Sequence, residues 1–146
     1  TLLKNGEAYS ELISLMCDSL KELDVDVVVG PEARGFVIGA PVAYGLKAGF
    51  VLARKPGKLP SEVYSIAYGL EYGSDILEIH KDAILPGMRV AIVDDLLATG
   101  GTALATAELI EKMGAEVVGL RFAIELCDLH GRELLSRFDV QSVMKY

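Results

Sequence analysis

The sequence predicts an α/β domain built on a doubly wound, mainly parallel sheet flanked by helices, with one hairpin set apart from it. Three observations carry this. Short runs rich in valine and isoleucine alternate with amphipathic stretches, which argues for strands buried on both faces and joined by crossover helices. The apolar runs stop abruptly in turn residues, as at Gly30-Pro31 and Pro86-Gly87, and right-handed crossovers then wind the sheet in both directions. The length, 146 residues, holds one domain with a substantial core and is too short for two ordinary ones.

The elements follow in order. Residues 6–23 predict a helix, with Ile13, Met16, Leu20 and Leu23 at helical spacing. Residues 25–29 predict a buried strand and residues 35–46 a second helix, which Pro41 and several glycines disturb. Residues 50–53 predict another strand. Residues 55–60, Lys-Pro-Gly-Lys-Leu-Pro, form a loop. Residues 63–70 and 76–80 read as the arms of a hairpin joined near Tyr72-Gly73-Ser74. A strand over 89–93 leads to a helix over 101–113, stopped by Gly114. Strands over 117–124 and 140–144 complete the sheet. No internal repeat or low-complexity tract interrupts this order.

Composition narrows the function. The chain is 51% apolar and 24% charged, with a mean hydropathy of +0.37, which argues against disorder. Fourteen basic residues against 21 acidic ones leave a net charge of −7. Nucleic acid is therefore not an expected partner, because phosphate neutralisation normally supplies much of that affinity. No apolar stretch approaches the roughly 20 residues that span a bilayer, so no membrane partner is expected. Cys17 and Cys127 make no disulfide framework, and a reducing cytoplasm is the expected compartment. His80 and His130 lack partners at metal-ligand spacing. The chain opens at Thr1 without a Met, and the expectation is that a segment precedes it.

In an open α/β sheet, ligands sit beyond the carboxyl ends of the strands, where strand order reverses. The strand over 89–93 runs directly into Asp94-Asp95-Leu96-Leu97-Ala98-Thr99-Gly100-Gly101-Thr102 and then a helix. Backbone N–H groups of a glycine turn at a helix N-terminus bind anions, and Thr99 and Thr102 add hydroxyl donors. Neither the Gly-Lys-Ser/Thr triplet of the Walker loop nor G-x-G-x-x-G is present. Two carboxylates beside a phosphate cradle repel its ligand unless vicinal hydroxyls or a Mg²⁺ ion intervenes. A phosphorylated sugar diol satisfies all these groups together; capping of the next helix is the plainer alternative for Asp94 and Asp95.

The run Val93-Asp94-Asp95-Leu96-Leu97-Ala98-Thr99-Gly100-Gly101-Thr102 resembles the phosphoribosyl pyrophosphate (PRPP) motif of the type I phosphoribosyltransferases. Its Leu-Leu-Ala-Thr-Gly-Gly-Thr form is similar to that of the adenine-specific members. Gly30-Pro-Glu-Ala-Arg-Gly-Phe36, Arg54-Lys-Pro-Gly-Lys-Leu-Pro60, Tyr68-Gly-Leu-Glu-Tyr-Gly73 and Leu77-Glu-Ile-His-Lys-Asp82 agree, in the family's order and over essentially the whole chain. The resemblance implies the type I fold with a lid hairpin, and the reaction adenine + PRPP → AMP + pyrophosphate in purine salvage. It also implies Mg²⁺ and a homodimer. Another base (xanthine, guanine or orotate) and a PRPP-sensing regulatory module are the competing readings; the latter usually carries a DNA-binding segment, and these residues contain none.

The resemblance also distributes roles. Ala98, Thr99, Gly100, Gly101 and Thr102 would anchor the 5′-phosphate, and Asp94 and Asp95 the ribose hydroxyls. No protein residue is singled out as a direct metal ligand. Arg34, in the loop after the first strand, would contact pyrophosphate or lie near the base, with a surface pair to Glu32 as its alternative. Arg54, Lys55 and Lys58 form the dense basic cluster of an acidic chain and suit a polyanionic leaving group. Tyr64, Tyr68 and Tyr72 would either be covered by lid closure or pack on the core. In the family, Glu71 matches the position that handles the purine proton, Tyr72 lies beside it in the lid, and Leu126 packs on the purine. A segment preceding the point that matches Thr1 forms a hood over the base, so these residues are expected to be one phosphoribosyltransferase domain without its hood.

Overall fold

The structure, a computed structural model, describes residues 2–69 and 74–146. After a short 3-10 turn, Asn5 caps α1 (Gly6–Leu20), its Oδ1 accepting the Ala8 N–H at 3.1 Å. Leu12, Met16 and Leu20, four residues apart, are its buried stripe. The helix stops before residue 23, although Leu23 still packs against the core. β1 (Val27–Pro31) begins two residues later than the valine run suggests. Asp26 sets that start: its backbone donates to the Arg89 carbonyl at 2.8 Å and its side chain accepts the Arg89 N–H at 2.8 Å.

α2 (Arg34–Leu46) keeps Pro41 inside it. Proline has no N–H for the carbonyl four residues back, here that of Val37, and the Tyr9 hydroxyl of α1 donates to this carbonyl instead. A partner helix thus supplies the missing hydrogen bond. β2 (Gly49–Ala53) pairs parallel with β1. β3 (Val63–Tyr68) and β4 (Asp75–His80) form a separate antiparallel pair, the expected hairpin. Its strands are not an exposed arm: Leu77 and Ile79 are buried in the main core, and Arg54 bridges to Glu78.

β5 (Arg89–Leu97) extends four residues past the expected end at 93. Its ladder to β6 (Glu116–Glu125) continues through Asp94 opposite Phe122 to Leu97 opposite Glu125. The paired acids are therefore strand residues. Between these strands α3 (Gly101–Lys112) crosses over, and Gly114 ends it at φ +85°. A four-residue helix, α4 (Gly131–Leu134), that nothing in the apolar pattern signals, leads to β7 (Val140–Lys145).

The main sheet is parallel throughout, in the order β2-β1-β5-β6-β7. Alternation along the strands divides its core. Val27, Val29, Val90, Ile92, Leu120 and Phe122 face α3 and the hairpin. Val28, Ala91, Val93 and Ala123 face α1 and α2. Winding reverses between β1 and β5, and that switch point places the site.

Candidate active site

The loops after β1 and β5 meet at the switch point around a pocket of about 250 Å³, lined by residues 32–34 and 94–103. The N-termini of α2 and α3 both reach it, and neither is capped by a side chain. Uncapped helix N-termini present N–H donors and a partial positive charge. Gly100, at φ +86°, supplies the left-handed turn from β5 into α3. Ala98, Thr99, Gly100, Gly101 and Thr102 all line the pocket, as the glycine-threonine run suggests. The Thr102 hydroxyl lies 3.3 Å from that of Tyr68, so β3 reaches the cradle.

Asp94 and Asp95 line the same pocket from the last residues of β5 and have separate surroundings. Asp94 Oδ1 accepts the Asp95 N–H at 2.8 Å. Burial, with the Asp95 charge adding to it, pushes the Asp94 carboxyl up to about 7. Asp95 pairs with the Arg34 guanidinium, whose pKa the carboxylate raises further. The Arg34 side chain is 74% exposed, so this pair adds little to stability and leaves the guanidinium able to turn toward a ligand. Neither acid caps α3 through its side chain, which removes the plainer reading of the pair.

Glu32 lines the pocket with Ala33 and Arg34, whereas Arg54, Lys55, Lys58 and Leu126 fall outside the lining. Glu32 is not the partner of Arg34: it accepts the Lys55 N–H, and its carboxylate is 3.5 Å from Arg54 Nε. Arg54 is half-buried, lies 5.9 Å over the Phe36 ring, and donates to the Lys58 carbonyl at 3.3 Å. It holds the 55–60 loop in shape. The Lys55 and Lys58 side chains are exposed and lie outside the pocket lining. Leu126 is also outside the lining; its N–H donates to the Leu97 carbonyl at 2.9 Å, tying the exits of β6 and β5 together. Tyr64 is 47% exposed beneath Lys81. Glu71 and Tyr72 lie outside the described residues. Among the described residues, no three His, Cys, Asp or Glu side chains cluster as a metal cage.

Two residues to which the resemblance assigns no role of their own also shape this site. Glu32 links the loop after β1 to the basic loop, as above. Gly35 is required by close approach: a Cβ there would sit 2.9 Å from Asp94 Oδ1 and 3.0 Å from Pro31 Cδ. Its signal in the sequence is only the glycine closing Glu-Ala-Arg-Gly. Gly35→Ala is expected to displace the Asp94 carboxylate and lower kcat/KM by about tenfold or more, since small misplacements at a reacting centre cost on that order. Steady-state kinetics beside a melting curve checks it; unchanged kcat/KM would mean the carboxylate does not need its present position.

Known proteins share this sequence pattern and fold. The phosphoribosyl transferase domain family matches residues 1–145. An adenine phosphoribosyltransferase of Alkaliphilus metalliredigens is 61% identical over 146 residues, which is all of this chain and 86% of the relative. The crystal structure of the Thermoanaerobacter pseudethanolicus adenine phosphoribosyltransferase superposes with a TM-score of 0.96 at 51% identity, over 99% of this chain and 84% of that one. The Saccharomyces cerevisiae enzyme, solved with an imino-altritol bisphosphate and adenine, gives a TM-score of 0.91 at 41% identity, over 97% of this chain and 82% of that one.

Proposed function

The chain belongs to the adenine phosphoribosyltransferases of the type I phosphoribosyltransferase family, and from that membership we propose how its own residues divide the reaction. It transfers the 5-phosphoribosyl group of PRPP to adenine, giving AMP and pyrophosphate, a step of purine salvage. One observation carries the assignment of roles: the phosphate cradle and the carboxylate pair face a single pocket at the switch point. A phosphate on residues 98–102 places the sugar it carries beside Asp94 and Asp95.

Cleavage at C1′ builds positive charge on the ribose and negative charge on the leaving pyrophosphate. Asp94 and Asp95 accept the ribose hydroxyls and stabilise the developing cation. Binding of the 5′-phosphate, remote from the bond that breaks, fixes the position of the reacting carbon. Arg34 exchanges Asp95 for pyrophosphate when the latter is present, and Lys55 and Lys58 raise the positive potential at the rim. Glu71 handles the purine proton, with Tyr72 beside it and Leu126 against the base.

Mg²⁺ fits the donor set. It is commonly held by one or two carboxylates together with substrate oxygens rather than by an all-protein cage, and Asp94 and Asp95 provide two carboxylates in one pocket. They would hold the ion, which would supply positive charge to offset the negative charge of the pyrophosphate group.

A homodimer suits the outer face of α2, where Val37 and Tyr44 are 46% and 87% exposed. Both cysteines are free thiols, in keeping with a reducing cytoplasm. Turnover with a panel of bases tests the reading as a whole. Mg²⁺-dependent PRPP consumption with adenine, yielding AMP, is expected; faster turnover with guanine, xanthine or orotate would move the chain to another branch, and PRPP binding without turnover on any base would support the sensor reading.

A further inference from the structure

We propose that α4 is a positioning element for the phosphate cradle, acting through Gly131 and held in place by Arg132. The inference rests on residues 98–102 being the 5′-phosphate site. A helix of four residues cannot hold its own position, so something must fix α4. Arg132 does: its guanidinium donates to the two Glu125 oxygens at 2.8 and 2.5 Å and to the Val140 carbonyl at 2.6 Å. Glu125 ends β6 and is 5% exposed, and Val140 begins β7. The fork geometry of arginine meets a buried carboxylate on both oxygens, so α4 is locked to two strands of the rigid sheet. The same contact holds the Glu125 carboxyl down at about 2, so the lock persists across the working pH range.

Gly131 then transmits that position to the cradle. A Cβ on Gly131 would lie 2.2 Å from the Ala98 carbonyl oxygen and 3.0 Å from the Gly100 nitrogen. A Cβ on Gly100 would lie 2.8 Å from the Gly131 carbonyl oxygen. Two stretches of backbone therefore rest against one another with no side chain between them. Gly131 does not have the positive φ that would demand glycine, and it opens α4 rather than capping it. Close approach to residues 98–100 is what the position requires. Because the obstacle is backbone, Gly131→Ala can be accommodated only by moving the cradle or α4, and Arg132 resists movement of α4.

The test compares AMP and adenosine, which differ only in the phosphate, by calorimetric titration of the wild type, Gly131→Ala and Arg132→Lys. Wild type is expected to prefer AMP strongly. Gly131→Ala is expected to lose about tenfold or more in AMP affinity and to raise KM for PRPP by a similar factor, with adenosine affinity unchanged. Arg132→Lys, which keeps the charge and loses the fork, should shift AMP affinity in the same direction. A purely structural role would lower the melting temperature of these variants and leave the AMP-to-adenosine ratio untouched, and that result overturns the proposal. A wild type indifferent to phosphate overturns the cradle reading and the proposal with it.

Discussion

Asp94→Asn combined with Asp95→Asn is expected to lower kcat/KM by about 10²–10⁴-fold while the fold survives. Each change removes a charge from the proposed contacts to the ribose, and a hydrogen bond to a charged group contributes about 1.5–3 kcal/mol. The stability change has the opposite sign to the activity change. Asp94 titrates near 3.8 when unfolded and is pushed up to about 7 by burial in the fold. Below the unfolded value the carboxyl is protonated in both states and costs nothing. Between the two values the folded chain binds more protons than the unfolded one, so stability falls as pH rises through this window. Above about 7 the whole penalty is in place. Asparagine carries no such penalty, and the Asp95–Arg34 pair is too exposed to offset it. In metal-free buffer, melting of Asp94→Asn should therefore exceed wild type at pH 8 and converge with it below pH 4. A lower melting temperature at pH 8 with full activity per folded molecule would make Asp94 a structural residue.

The second large effect concerns the core. Arg121 is 2% exposed in the middle of β6, yet every part of its guanidinium is bonded. Nε donates to Ser19 Oγ at 2.8 Å, Nη1 to the Leu120 and Asp139 carbonyls at 3.1 and 3.0 Å. Nη2 donates to the Ser19 carbonyl at 3.0 Å and to Asp139 Oδ2 at 2.7 Å. One side chain thus joins α1, β6 and the turn into β7. Arg121→Ala leaves several carbonyls without donors beside a void and is expected to destabilise by about 3–5 kcal/mol. For a chain of this size that is a melting shift of roughly 10–15 °C. Thermal unfolding followed by circular dichroism measures it, and a shift under about 3 °C would mean these bonds are readily replaced by water.

Much of this architecture is legible in the residues, for physical reasons that also explain the rest. Continuous apolar runs mark β1, β2 and β6, the stretches packed into the sheet, while β7 shows only Val140, Val143 and Met144 among polar residues. The same rule cuts β5 short: Asp94 and Asp95 look like loop residues, whereas a parallel ladder satisfies their backbone and leaves the side chains at the pocket. Arg121 interrupts an apolar strand, and its partners lie 102 and 18 residues away, beyond any local pattern. α4 is too short for a periodic signal, and Gly131 matters through contact with residues some 30 positions earlier. The cradle is contiguous in the chain, so its spacing shows directly. The basic cluster shows as composition, but composition does not aim a side chain: Arg54 turns inward to shape its loop, and Lys55 and Lys58 stay outside the pocket lining.

In the proposed division of roles, one pocket at the switch between β1 and β5 holds the phosphate on residues 98–102 and the ribose on Asp94 and Asp95. A crystal structure of the chain with AMP tests it most directly. Phosphate oxygens are expected within about 2.7–3.2 Å of backbone N–H groups in residues 98–102, with both ribose hydroxyls on the two carboxylates. A phosphate held by Arg34 at the N-terminus of α2, with the carboxylates facing solvent, would contradict it.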